Sequence, residues 1–195
     1  MKLIFATNNQ HKVDEIRAVL PSCFEIISLK EAGIDIDIPE PHDTLEKNAE
    51  EKATTIFHLT NNNCFSEDTG LEVNALHGEP GVLSARYAGA EKSFEKNIEK
   101  LLQKLENLAD KQARFRTVIC LVIQGENNFF EGVCNGRIIA EQRGSEGFGY
   151  DPVFIPDGAD RTFAEMGMNE KNKYSHRRKA VDKLVEFLNQ LGINK

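Results

Sequence analysis

Glu67 and Asp68 stand side by side, directly after the short apolar run that starts at Cys64 and directly before Thr69 and Gly70. Adjacent carboxylates repel, and removing them from water is costly unless a cation compensates. Such acids can gather a divalent cation or take a proton from water, and either task needs positive partners from elsewhere in the chain. The pair also has a plain structural reading, because acids begin turns and Asp-Thr-Gly is a common turn sequence.

Four other segments carry matching residue types. The stretch "TNNQHK", residues 7–12, follows an apolar run and precedes a helical pattern. Backbone N–H groups and the dipole at a helix start favour an anion there, with Lys12 as a point charge. Asn9 could equally be an ordinary N-cap and Lys12 a solvated residue of the first turn. Glu40 lies in the Pro-flanked loop of "IPEPHDTLEKNAEEK", with Asn48 and Lys52 four residues apart on one face of the helix that follows. A loop carboxylate suits magnesium, which takes oxygen ligands and needs few from protein when phosphates supply the rest. Asp37, Glu40 and Asp43 could also be loop acids in water.

"SEGFGYDPVF" sets Phe148 and Tyr150 among glycines that let backbone approach a ligand. An aromatic there could stack on a base or plug the core beside a turn. "NEKNKYSHRRK", residues 169–179, holds five cations and His176. His176 and Arg177 are directional donors suited to carbonyl oxygens on a base, although a solvated helix start explains the patch as well. Arg86 in "SARYAG" is a further loop cation.

The elements that must position these residues follow from periodicity. Residues 2–6 read as a strand, and Val13, Ile16, Val19 and Leu20 as a helix stopped by Pro21. "FEIISL" is a second strand. Asp43 and Glu46 form a capping box before a helix carrying Leu45, Ala49, Ala53, Ile56 and Leu59, which "NNN" ends. The run into Ser66 is a strand that ends at the acids, with residues 71–73 resuming it after a Gly70 turn. Residues 77–89 read as loop, and Phe94, Ile98, Leu101, Leu102, Leu105 and Leu108 as one face of a helix. "ARFRTVICLVIQG" turns at "ENN" into "FFEGVCNGRIIA", an antiparallel pair. "PVFIP" is a short strand, and Ala180, Val181, Leu184, Val185, Leu188 and Leu191 mark a closing helix. Mixing βα units with a meander predicts an α/β or α+β fold with a mixed sheet.

The chain of 195 residues fits one domain, 1–195, with room for two lobes. A net charge of −7 opposes binding to a nucleic acid polymer but not to one nucleotide held by local cations. No apolar run reaches membrane-spanning length and no signal peptide is evident, which places the protein in the cytoplasm. The four cysteines are scattered without a zinc-site spacing and read as reduced core thiols.

Taken in order, "TNNQHK", Glu40 with "NAEEKA", "SEDTGLEVNALHGEPGVLSARYAG", "GFGYDP" and "EKNKYSHR" closely resemble the inosine triphosphate pyrophosphatase family over nearly the whole chain. The resemblance implies an elongated mixed sheet flanked by helices, two lobes around a nucleotide cleft, and a homodimer. Thr7, Asn8, Asn9, Gln10, His11 and Lys12 match the phosphate-binding loop, and Asn48 and Lys52 match polar positions facing the phosphates. Glu40 matches a metal-site acid and Asp68 the catalytic acid, which together would hold magnesium. Thr69 and Arg86 match substrate contacts. Phe148, Gly149, Tyr150 and Asp151 match the loop around base and sugar, Lys171 a substrate lysine, and His176 and Arg177 the base-reading pair. Many members have two aspartates and serine where this chain has Glu67, Asp68 and Thr69, which leaves a metal role for Glu67 open. The implied reaction is hydrolysis of ITP, dITP or XTP to the monophosphate and pyrophosphate. A catalytically silent nucleotide sensor and a house-cleaning enzyme for other modified nucleotides are the alternatives.

Overall fold

The computed structural model describes residues 1–191. In chain order the elements are β1 (Lys2–Phe5), α1 (Gln10–Arg17), β2 (Glu25–Ser28), α2 (Leu45–Thr60), β3 (Cys64–Val73), β4 (Pro80–Gly81), α3 (Phe94–Leu105), β5 (Gln112–Ile123), β6 (Glu126–Ile138), β7 (Phe154–Pro156), α4 (Met168–Lys171) and α5 (His176–Gln190). The strands hydrogen-bond in the order β2-β1-β3-β5-β6-β7, with β4 added to β3. β1 runs parallel to β2 and β3, whereas β4 is antiparallel to β3 and β7 to β6, so the sheet is mixed and the fold α/β, as expected.

The chain divides into two compact units. The first comprises residues 1–68, 117–132 and the segment from 177 onward; the second comprises 69–116 and 133–176. In the first unit, side chains alternate across the strands. Leu3, Phe5, Phe65, Ile119 and Leu121 pack with Val13 and Ile16 of α1 and with Ala180, Val181, Leu184 and Leu188 of α5. Ile4, Ala6, Cys64, Cys120 and Val122 pack with Ala49, Ala53 and Ile56 of α2 on the other face. A sheet covered on both faces needs near-continuous apolar strands, which explains "VICLVI". The second unit builds its core from Leu71 and Val73 of β3, Ile98, Leu101 and Leu105 of α3, and Phe115, Phe154 and Phe163.

Several boundaries differ from expectation for local reasons. α1 stops at Arg17, while Val19 and Leu20 pack on the same core from the turn that follows. α2 is capped by Thr44, which accepts from the Lys47 N–H, rather than by Asp43, and ends at Asn61 in the left-handed conformation (φ 52°). The β5–β6 turn is made by Gln124 and Gly125, with φ of 54° and 82°, not by "ENN". Positive φ at both central residues matches the twist of a two-residue hairpin, and glycine supplies one of them without strain.

The largest difference is β3, which runs unbroken through Asp68, Thr69 and Gly70 for ten residues. Gly70 marks a close approach, not a turn: a Cβ there would meet the Gly81 carbonyl oxygen of β4 at 2.7 Å. Gly70→Ala is therefore expected to destabilise the protein by about 1–3 kcal/mol through overpacking. Thermal unfolding measures this, and an unchanged midpoint would mean that β4 moves aside freely.

Candidate active site

An unbroken β3 resolves the problem of the adjacent acids. Consecutive strand residues face opposite sides, so Glu67 lies on the Phe65 side with α1 and α5, and Asp68 on the Cys64 side with α2. Each carboxylate has a different direct ion-pair partner, Lys52 for Asp68 and Arg177 with Lys12 for Glu67. Ser66, on the α2 side, donates its hydroxyl to the Ala49 carbonyl and ties that helix to the strand.

On the α2 side, Lys52 Nζ lies 3.2 Å from Asp68 Oδ1 and 2.5 Å from Glu40 Oε1, so one buried ammonium bridges both acids. The helix contributes Lys52 and, one turn earlier, Asn48, whose amide accepts from the His42 N–H at 3.0 Å and donates to the His42 carbonyl at 3.1 Å. Asn48, expected to face phosphates, thus fastens the Glu40 loop to α2. Burial works against the Lys52 charge, but Asp68 and Glu40 outweigh it and hold the ammonium above the usual lysine range. Burial pushes the Asp68 carboxyl above the usual aspartate range; Lys52 and Lys12 oppose the shift and Glu40 adds to it.

On the opposite face, Glu67 is the fully buried anchor of an ion network. Arg177 donates from Nε to Glu67 Oε2 at 2.7 Å and from Nη2 to Oε1 at 2.8 Å, and from Nη1 to Glu15. Lys12 Nζ approaches Glu67 Oε1 at 3.2 Å. Burial alone would raise the Glu67 pKa, but Arg177 and then Lys12 lower it from 4.5 to about 2. The two neighbouring acids are therefore driven apart, Glu67 downward and Asp68 upward, the kind of split by which paired carboxylates divide roles. Arg177, expected at the base, is turned into this network because two buried acids demand a compensating cation.

The loop that delivers Lys12 is held by its own side chains. The Asn9 N–H donates to Thr7 Oγ1 at 3.1 Å, and the Asn9 side chain caps α1 by accepting from the Lys12 N–H at 3.3 Å. The plain reading of Asn9 as an N-cap is thus correct. Asn8 donates to the Ile36 carbonyl and Gln10 to Asp14, and His11 is exposed.

The second unit gathers the remaining candidates. Asp151 Oδ2 accepts from the Phe148 N–H at 2.9 Å and from Lys171 Nζ at 2.7 Å, pinning the loop that Gly147 and Gly149 bend with positive φ. The Lys171 ammonium lies 5.5 Å from the Phe148 ring centre and 5.3 Å from that of Phe163. Tyr150 donates its hydroxyl to the Ser84 carbonyl at 2.9 Å, in the short turn Ser84–Arg86 that ends with Arg86. His176 is buried and stacks on Phe115, with ring centres 4.7 Å apart and planes within 13°. Thr69 is half-buried on β3.

Sequence reasoning missed Glu15, Phe115 and Phe163. Glu15 follows Lys12 by three residues and so shares its helix face, a signal masked by the expectation that helix acids are solvated. Among the described residues, no three His, Cys, Asp or Glu side chains gather at a metal-binding spacing. The oxygen donors at hand are Glu40 and Asp68, and Asp68 Oδ2 is buried without a hydrogen-bond partner. Two carboxylates without thiol or imidazole suit a hard cation such as magnesium that draws its other ligands from phosphate and water.

The model of the Ham1 family matches residues 3–187. A dITP/XTP pyrophosphatase of Porphyromonas gingivalis is 52% identical over 188 residues, spanning 96% of this chain and 97% of that protein. Another from Christiangramia forsetii is 48% identical, spanning 97% and 100%. The solved structure of the Staphylococcus aureus Ham1 protein superposes with a TM-score of 0.88 at 40% identity, covering 97% of this chain and 99% of that one.

Proposed function

The chain belongs to the Ham1 family, and from that premise we propose that it hydrolyses deaminated purine nucleoside triphosphates, dITP, XTP and ITP, to the monophosphate and pyrophosphate. The observation that carries the chemistry is Asp68: a buried carboxylate with a raised pKa and one oxygen without a hydrogen-bond partner, beside Lys52 and Lys12. Such a group is a general base. In this reading Asp68 takes a proton from water as its oxygen attacks the α-phosphorus, and the bond to the bridging oxygen breaks to release pyrophosphate. Lys12 and Lys52 offset the charge that grows on the departing group, and Lys171 keeps the substrate-contact role that the family resemblance implies. Magnesium, which Glu40 and Asp68 would hold with the substrate phosphates, supplies charge neutralisation on the triphosphate.

Phe148 offers a ring face for the base. His176, with its ring plane set by Phe115, supplies a donor for the 6-carbonyl of hypoxanthine or xanthine. Adenine presents an amino group there, and a buried donor left unpaired costs about 1–3 kcal/mol. A homodimer, implied by the family resemblance, and a cytoplasmic location belong to the same reading. Among the described residues no helix is long and apolar enough to cross a membrane.

A substrate panel with product identification tests the proposal. Turnover of dITP and XTP should exceed that of ATP by roughly five- to 150-fold, corresponding to that energy range. One pyrophosphate should appear per monophosphate. Release of inorganic phosphate instead would rule out attack at the α-phosphorus, and equal rates on all three nucleotides would remove base reading by His176.

A further inference from the structure

We propose that Glu67 is a positioning residue for this reaction, which holds the Lys12 ammonium ready for the polyphosphate. The inference rests on the pyrophosphatase reading for the role of Lys12. It rests on geometry for the rest. Arg177 grips Glu67 with two parallel bonds of 2.7 and 2.8 Å, a bidentate arrangement that fixes the carboxylate plane. Glu15 holds the same guanidinium through Nη1, so neither Arg177 nor Glu67 can swing. The carboxylate that results is a rigid platform, and Oε1 on it also meets Lys12.

Lys12 is the loosely held member of the group. Its 3.2 Å separation from Glu67 is longer than the usual 2.7–2.9 Å of a charge-assisted bond, and its side chain is 15% exposed where that of Glu67 is 0%. A cation held this way is aimed in advance yet free to pass to a phosphate. Two acids and two cations make the network neutral, and when Lys12 passes to a phosphate Glu67 keeps both of its bonds to Arg177. Pre-aiming a flexible lysine removes the ordering that substrate binding would otherwise have to impose.

A double-mutant cycle tests the claim with Glu67→Gln, Lys12→Met and the pair, reading kcat/KM for dITP and inhibition by inorganic pyrophosphate. Glu67→Gln should lower kcat/KM about ten- to 100-fold and weaken pyrophosphate inhibition, but cost less than about threefold once Lys12 is Met. Glu67→Asp keeps the charge and should recover most of the loss. Independent, multiplying losses would overturn the inference, as would a Glu67→Gln enzyme within about threefold of wild type.

If Glu67→Gln does not fold, as judged by circular dichroism, Glu67→Gln with Arg177→Met takes its place in the cycle. That pair removes one buried acid and one buried cation together, and the same outcomes decide. Wild-type protein that releases no pyrophosphate from dITP would sink the functional reading alone. Calorimetric binding of inorganic pyrophosphate across the four proteins would still show whether Glu67 acts through Lys12.

Discussion

Asp68→Asn should lower the rate of pyrophosphate release from dITP by about 10³-fold or more, while the nucleotide dissociation constant changes by only a few-fold. Asparagine keeps the shape of the side chain and can still accept a hydrogen bond from Lys52, so the α2 face should remain assembled. It loses the proton acceptor and the oxygen charge offered to magnesium. The pH profile gives a second check. A general base works deprotonated, and burial holds the Asp68 proton to higher pH than an ordinary aspartate does. Activity should therefore rise with pH along an acid limb displaced above the usual carboxylate range. Any residual activity of Asp68→Asn should lack that limb. A variant within about tenfold of wild type would move the base elsewhere, and Glu67 is a poor substitute, since Arg177 and Lys12 keep it ionised down to a pH of about 2.

The sequence carried the family, the mixed sheet and the principal helices, because apolar periodicity and ordered motifs are local signals. The match of the Ham1 model to residues 3–187 bears out the resemblance. The direction of the acids was not legible. Reading a turn at Gly70 stopped the strand at Ser66, and with the acids placed beyond its end the rule that neighbours face opposite sides has no purchase. Only the close approach of Gly81 to Gly70, a tertiary fact, reveals that the glycine serves a neighbouring strand. The setting of Arg177 was hidden for a similar reason. Its partners lie 110 and 162 residues away, beyond any spacing rule, and a cation-rich segment reads as solvent-facing until buried acids are found to need it. The bridging of Glu40 and Asp68 by Lys52 was closer to view, since the helical face of Lys52 was legible even though its reach to two carboxylates was not.

These buried charges also fix the second large effect. Arg177→Met should destabilise the protein by about 3–5 kcal/mol, because it strands Glu15 and leaves Glu67 with Lys12 alone. Arg177→Lys should recover little, since an ammonium is a point donor and cannot fork onto Glu67 while reaching Glu15. The loss should show in the urea midpoint. It also has a pH signature: the Glu67 pKa is lowered on folding from 4.5 to about 2, so its contribution is fully present above pH 4.5 and fades as pH falls towards 2. Wild type should therefore lose its advantage over Arg177→Met across that window. Ligand binding separates this anchoring role from base reading. Inorganic pyrophosphate has no base, so a purely base-reading Arg177 would leave its affinity untouched, whereas an anchor whose removal frees Glu67 and Lys12 should weaken it. An Arg177→Met protein with unchanged urea midpoint and unchanged pyrophosphate affinity would show that the network does neither.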